Sequence, residues 1–252
     1  MKKKWSGLRL RLLQTYVRRR LRRAFGDVRL AGFEHVQQAR LVGGVILCVN
    51  HVSWWDPMVL GGLDRLLNGQ GFALMDADAL RRLPFLGWAG AVPVERGHGP
   101  EALRASLAAA AGTAAQHGNV LAVFAAGTQR PAHLPLLYRA GILTIQDAAQ
   151  VPIVPAALRY DFIQGSRAIV HLFCGAPIPA SAGARRARLR LLESRTAQLL
   201  GAIDEEVLRA SEAQRQLEFP PTGISLWGAT EERGPELSGA ARWLARRQRG
   251  SS

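Results

Sequence analysis

Short apolar runs alternate with helix-like segments along much of this chain. The run VILCV at residues 45–49 is the clearest, and further runs lie in GFALM, NVLAVF, VPIVPAAL and AIVHLFC. A short continuous apolar run is typical of a strand that is buried on both faces, and alternation of such strands with helices is typical of a mostly parallel sheet. We therefore predict a single α/β domain over residues 28–218, in which helices flank a mixed, mostly parallel β-sheet.

The first residues of the chain carry much of its positive charge. The chain has 252 residues and a net charge of +14 at pH 7, and ten Lys and Arg with no acid fall within residues 1–23. The large apolar side chains of this segment cluster on a helical wheel: Trp5, Leu8, Leu12 and Tyr16, with Leu13 beside them. A stripe of arginines lies opposite: Arg11, Arg18 and Arg22. We predict that residues 1–27 form a basic amphipathic helix at an anionic membrane surface. The alternative is a helix that packs on the domain with its basic face in water.

The chain shows no signal for a membrane span, a cleaved leader or a disulfide framework. Its longest tidy apolar segment is about half of the roughly 20 residues that a membrane helix needs. The two cysteines, Cys48 and Cys174, lie inside apolar runs and lack the spacing of a metal site. These patterns predict a peripheral or monotopic protein on the cytoplasmic face of the cell membrane, without a metal or other cofactor. Residues 219–252 are expected to form a C-terminal tail.

A histidine and an aspartate flank two tryptophans directly after the run VILCV. In the stretch CVNHVSWWDP, His51 and Asp56 fall where a strand ends and a helix begins, a position that favours catalytic groups. On one helix they would lie about 140° apart, so they meet only if His51 precedes the helix. A histidine can take a proton from an alcohol, and a carboxylate on its other nitrogen fixes the tautomer and stabilises the imidazolium. The other interpretation is a structural polar pair in a turn.

No protein nucleophile accompanies this pair. The chain has no G-x-S-x-G elbow, and neither cysteine has an evident partner. The nucleophile that the sequence favours is therefore the hydroxyl of a substrate.

Four sequence blocks occur in an order that is typical of one enzyme family. NHVSWWD at residues 50–56 is similar to an N-H-x4-D block, and LPFLGWAGAVPVERG at residues 83–97 resembles P-x-x-G followed by I-P-V-x-R. VFAAGTQRP at residues 123–131 resembles F-P-E-G-T-R-S, and VPIVPAAL at residues 151–158 resembles V-P-I-V-P. Together they resemble the glycerolipid acyltransferase family typified by 1-acyl-sn-glycerol-3-phosphate acyltransferase, over about residues 28–175.

This resemblance implies a glycerol-3-phosphate acyltransferase-like fold and a reaction. The reaction is transfer of an acyl group from acyl-CoA, or from acyl carrier protein, to a hydroxyl of a membrane lipid such as a lysophospholipid. The resemblance implies that His51 is the general base and that Asp56 orients it. It also implies residues that contact the acceptor or shape the site: Arg96, Gly127 and Thr128. Arg130 is a further substrate-binding candidate, for the phosphates of the donor, and the alternative is a solvated surface charge. Backbone amides of the glycine-containing turn are suited to hold the developing oxyanion.

Three positions depart from the pattern of that family. The glutamate of E-G-T-R is Ala126, the next arginine position holds Gln129, and the lysine before P-x-x-G falls on Ala77 or Asp78. These changes favour an altered acceptor: another lysolipid, an aminolipid or a sugar-bearing lipid such as a carotenoid glycoside. A lipid-binding pseudoenzyme is one alternative. A nucleic-acid binder is another, but the basic run lacks aromatic interleaving and no helix-turn-helix signature is present, so we expect no nucleic-acid partner.

Overall fold

An eight-stranded sheet runs through the protein. The structure is a computed structural model, and it describes residues 7–162, 166–216 and 224–225. The strands are β1 (Asp27–Ala31), β2 (Val45–Val49), β3 (Gly71–Asp76), β4 (Ala91–Val94), β5 (Val120–Phe124), β6 (Ile153–Asp161), β7 (Ile169–Cys174) and β8 (Ile224–Ser225). The helices are α1 (Leu8–Ala24), α2 (Phe33–Val42), α3 (Asp56–Gly62), α4 (Ala77–Arg82), α5 (Phe85–Trp88), α6 (Gly99–Ala114), α7 (Gly141–Ala149) and α8 (Arg185–Gln216), and a 3-10 turn spans Leu63–Arg65. Strands and helices alternate over most of this length, as the apolar runs predict.

Five neighbouring strands run parallel. The strand order is β4-β3-β5-β2-β6-β7-β1-β8, and each adjacent pair from β4 to β6 is parallel. Strands β7 and β1 run in the opposite direction, and β8 pairs antiparallel with β1. The prediction of a mixed, mostly parallel sheet flanked by helices is therefore confirmed. The carboxyl ends of the five parallel strands meet along one border of the sheet, which we call the carboxyl edge.

Strand β2 lies near the centre of the sheet and is buried along its whole length. Its alternate residues Val45, Leu47 and Val49 pack into a cluster with residues of α1, α2 and α3. Ile46 and Cys48 pack on the other face, into a cluster with residues of α6, α7 and α8. Two helical layers therefore enclose the sheet, and the loop that follows β2 emerges from a close-packed core.

Helix α1 has two apolar faces. Val17 and Leu21 are buried in the core on one face, whereas Leu8, Leu12 and Tyr16 on the other face are 73%, 62% and 57% exposed. The helix thus packs on the domain, as the alternative interpretation holds, and still leaves the predicted apolar stripe uncovered in the described part of the chain. Within residues 7–162 and 166–216, no helix combines the length and the apolarity needed to cross a bilayer.

The two ends of the chain lie mostly outside the described residues. Trp5 falls there, and so does most of the segment 217–252. Ile224 and Ser225 belong to the predicted C-terminal tail, yet they pair with β1 as strand β8. The backbone groups of an edge strand attract such a partner. At least this part of the tail therefore extends the sheet.

Candidate active site

His51 and Asp56 lie in direct contact at the carboxyl edge. Strand β2 ends at Val49 and α3 begins at Asp56, so one short loop joins a central strand to a helix. The Nδ1 atom of His51 lies 2.6 Å from Oδ2 of Asp56. The Asp56 side chain is fully buried, and the His51 side chain is 17% exposed. The structure therefore brings this predicted pair together in the predicted strand, loop and helix arrangement.

Four donors converge on the Asp56 carboxylate. Its Oδ2 accepts hydrogen bonds from the backbone N–H groups of Val52 and Ser53, at 2.7 and 3.0 Å, besides its contact with His51. Its Oδ1 accepts a hydrogen bond from the Tyr160 hydroxyl at 2.6 Å. An ionised carboxylate has acceptor positions for all four donors. In this arrangement His51 Nδ1 carries a proton, and the lone pair on Nε2 is left to accept one.

Packing and backbone bonds hold the imidazole in place. The ring of Phe124, the last residue of β5, stacks on His51 with 4.2 Å between the ring centroids. The His51 carbonyl accepts a hydrogen bond from the Arg130 backbone N–H at 2.8 Å. The Asn50 side chain exchanges two hydrogen bonds with the backbone of Leu158 in β6, at 2.7 and 3.0 Å. The position of His51 is therefore set by three neighbouring strands, β5, β2 and β6.

Tyr160 is a member of this site that sequence reasoning missed. Its ring lies 5.4 Å from that of Phe25, which in turn packs 5.1 Å from the ring of Trp55. Burial and the neighbouring Asp56 carboxylate raise the pKa of Tyr160 far above its ordinary value, so the hydroxyl remains a donor at neutral pH. No spacing pattern indicates a contact between residues 104 positions apart. The one available signal in the sequence is a tyrosine, with its polar hydroxyl, near the end of a buried strand.

Arg96 binds a carboxylate of the protein itself. Its Nε and Nη2 atoms lie 3.0 and 2.9 Å from Oδ2 of Asp76, the last residue of β3, and its Nη1 donates to the Gly127 carbonyl. Partial burial opposes ionisation of Asp76, but hydrogen bonds from Arg96 and from the backbone N–H groups of Ala79 and Asp78 outweigh it, so the pKa of Asp76 is lowered. The predicted acceptor-binding arginine is thus held in an ion pair, which the sequence did not indicate.

The turn after β5 carries Gly127 and Thr128. Gly127 has a φ of 73°, in the left-handed region, and its N–H donates to the Phe124 carbonyl at 2.9 Å. The positive φ favours glycine, and a Cβ at this position would lie 3.0 Å from Nε of Arg139 and 3.1 Å from Nη1 of Arg96, so it would displace these side chains. Thr128 is exposed. Its backbone N–H donates to no acceptor among the residues that the structure describes.

A small, mostly apolar pocket lies beside His51. Its apolar wall comes from the loop after β5 and from α8, and includes Ala126, Leu134, Leu136, Leu137, Tyr138 and Leu200. The polar residues that line it are Asn50, His51 and Arg130. Ala126 therefore places a methyl group against this pocket, where the E-G-T-R pattern has a carboxylate. The structure places Arg130, predicted to bind substrate, beside His51.

The two cysteine thiols are buried within the sheet. Cys48 and Cys174 are free and buried. Burial raises the pKa of both thiols, that of Cys174 to about 12, so neither is a thiolate at neutral pH. In the described ranges, no three His, Cys, Asp or Glu side chains are grouped to hold a metal ion.

A family model matches the region that contains this site. The model of the Acyltransferase family matches residues 27–159, from the start of β1 almost to the end of β6. The match covers more than half of the chain, and the protein belongs to the acyltransferase family. A search of curated proteins finds no significant match.

The fold is similar to that of a solved structure, the 1-acyl-sn-glycerophosphate (LPA) acyltransferase PlsC from Thermotoga maritima. The alignment has a TM-score of 0.53 and 17% sequence identity, and it covers 75% of this chain and 79% of that chain. At this identity the likeness shows a shared fold. The predicted acyltransferase-like α/β architecture is thereby confirmed.

Replacing Tyr160 with phenylalanine would remove one of the four hydrogen bonds to Asp56 and keep the ring that packs on Phe25. We expect kcat for acyl transfer to fall about tenfold with an unchanged KM for the acyl donor, because Tyr160 acts on Asp56 and not on the substrate. Steady-state kinetics of the purified protein measures both constants. Circular dichroism of the same variant checks that the fold is kept. An unchanged kcat with a raised KM would contradict this role.

Proposed function

We propose that this protein transfers a fatty acyl group from a thioester donor to a hydroxyl of a membrane lipid. The donor is acyl-CoA or acyl carrier protein, and the acceptor is a lysophospholipid or a related lipid alcohol. The observation that carries this proposal is the 2.6 Å contact between His51 and the buried Asp56, beside an apolar pocket. The pair supplies a base, and the apolar side chains beside it offer contacts for an acyl chain. Membership of the acyltransferase family supports the same class of reaction.

The reaction needs one base and no protein nucleophile. Nε2 of His51 accepts the proton of the lipid hydroxyl while the hydroxyl oxygen forms a bond to the thioester carbonyl carbon. The tetrahedral intermediate then collapses, the carbon–sulfur bond breaks, and the proton on Nε2 passes to the departing thiolate. The products are an ester and a free thiol. Asp56 stabilises the imidazolium that exists between the two proton transfers.

The turn after β5 is suited to stabilise the oxyanion of that intermediate. The Gly127 N–H already donates within the turn, to the Phe124 carbonyl. The Thr128 N–H has no acceptor in the described part of the chain, and the residue is exposed. Of the two amides predicted for this role, we therefore assign that of Thr128 as the oxyanion donor.

The apolar lining of the small pocket beside His51 is suited to contact the acyl chain. Apolar area removed from water contributes roughly 25 cal/mol per Å² to binding, and side chains such as Leu134, Leu137 and Leu200 offer such area. A carboxylate at the position of Ala126 would face this apolar wall at a cost in desolvation. Arg130 lines the same pocket and is available to the polar part of the donor.

Helix α1 supports attachment to an anionic membrane surface. Its uncovered face has apolar side chains in the first half, Leu8, Leu12 and Tyr16, and exposed arginines in the second half, Arg19, Arg20 and Arg23. Apolar side chains insert at the headgroup boundary, and each basic residue near anionic lipid adds about 1 kcal/mol. Trp54, in the loop of His51, is exposed and of a type that favours the same interface. We therefore expect peripheral or monotopic binding to the cytoplasmic face of the membrane, where anionic lipid is enriched.

Replacing His51 with alanine tests the proposed reaction. We expect transfer of radiolabelled acyl groups to a panel of lysolipid and glycolipid acceptors to fall by about 10²- to 10⁴-fold, because the base is lost. Both acyl-CoA and acylated carrier protein serve as donors in this assay. His35→Ala, in α2, is the control and keeps the wild-type rate.

Two results would contradict the proposed reaction. One is an equal rate in the wild type and in His51→Ala. The other is no turnover with any acceptor from either donor, which would favour a lipid-binding protein without catalysis.

Replacing Leu12 with alanine tests the membrane surface. We expect about fivefold weaker binding to liposomes that contain anionic lipid, with unchanged stability, because the lost side chain contacts the bilayer and not the core. Co-sedimentation measures the binding. Leu208→Ala is the matched control, because Leu208 is also 62% exposed but lies on α8. Equal liposome binding by both variants would contradict the assignment of Leu12 to the membrane surface. Salt-dependent DNA binding without liposome binding would favour the nucleic-acid alternative.

A further inference from the structure

We propose that Asp76 makes the acceptor subsite selective for a lipid with a neutral, hydroxyl-bearing head and against a phosphomonoester. The subsite lies where β3 and β4 end, between Asp76, Arg96 and the turn at Gly127. This inference rests on the proposed function, because it concerns which lipid hydroxyl His51 deprotonates.

The guanidinium group of Arg96 is mostly occupied by the protein. An arginine recognises a phosphate or a carboxylate best through two parallel N–H donors. In Arg96 both Nε and Nη2 contact Oδ2 of Asp76, at 3.0 and 2.9 Å, and Nη1 donates to the Gly127 carbonyl. The donors that remain, one on each terminal nitrogen, are suited to single hydroxyl oxygens.

Ion pairs connect the charged side chains near Arg96. Asp76 pairs with Arg96, and Asp78 and Glu95 both pair with Arg81. These carboxylates offset the attraction that the two arginines would otherwise exert on a phosphomonoester. Without the charge of Asp76, the positive charge of Arg96 would no longer be neutralised by its partner.

Asp76 acts on a substrate through its charge and not through contact. Its Oδ1 accepts hydrogen bonds from the backbone N–H groups of Asp78 and Ala79, at 3.0 and 3.4 Å, and its Oδ2 accepts from Arg96. Although partial burial opposes ionisation, these bonds lower its pKa, so the carboxylate is charged at neutral pH. Because both oxygens are already engaged, the neutralisation of Arg96 is the effect that Asp76 has on an incoming head group.

The change Asp76→Asn tests this selectivity, because asparagine keeps the shape and can still cap α4 but removes the charge. With acceptors of equal chain length, we expect the wild type to have a higher kcat/KM for a monoacylglycerol than for a lysophosphatidate. In Asp76→Asn, kcat/KM for the lysophosphatidate rises on the order of tenfold, while that for the monoacylglycerol is unchanged. The matched control is Asp204→Asn, which removes a carboxylate of α8 that pairs with Arg159 of β6.

A binding measurement tests this selectivity for the acceptor independently of turnover. Calorimetric titration with short-chain forms of both acceptors is expected to give the same ranking and the same response to Asp76→Asn. A wild-type preference for the lysophosphatidate, or an equal response of Asp76→Asn and Asp204→Asn, would overturn the selectivity. If the binding ranking holds but no acceptor is turned over, the proposed function is overturned and the selectivity stands.

Discussion

The four hydrogen bonds to the buried Asp56 carboxylate are the interaction on which the site depends. A charge without access to water is costly unless polar groups replace its hydration, and here His51, two backbone amides and the Tyr160 hydroxyl do so. These donors come from the loop after β2 and from β6, which pair in parallel. The contact between His51 and Asp56 therefore forms only when these strands and α3 have assembled. The site depends on the folded domain for its geometry.

The strands and the reactive pair are predictable because each depends on a local pattern. β2 and β5 are buried on both faces, so they stand out as apolar runs. His51 and Asp56 lie close in sequence, and one turn at a strand end brings them together. Tyr160 and Asp76 are different, since their partners lie 104 and 20 positions away. Those contacts depend on the strand order, which apolar patterning alone does not specify.

Helix α1 connects the surface of the protein to its reactive centre. Phe25, directly after α1, packs on Trp55 and Tyr160, and these two residues are the neighbours of Asp56 in sequence and in space. The helical wheel identified the apolar stripe that is uncovered, but it did not reveal a second apolar face that enters the core. Basic charge is concentrated on α1, while Arg96 is neutralised by Asp76. In our proposal, attraction to a membrane and recognition of the acceptor head therefore depend on different residues.

The role of Asp56 is tested most directly by the rate of acyl transfer in Asp56→Asn. Asparagine has nearly the same shape, but it cannot accept all four hydrogen bonds, and it no longer fixes the proton on Nδ1 of His51. We expect a protein that is folded by circular dichroism and that has a kcat lower by about 10²- to 10⁴-fold. A folded Asp56→Asn protein with the kcat of the wild type would contradict the proposal that this carboxylate makes His51 the base.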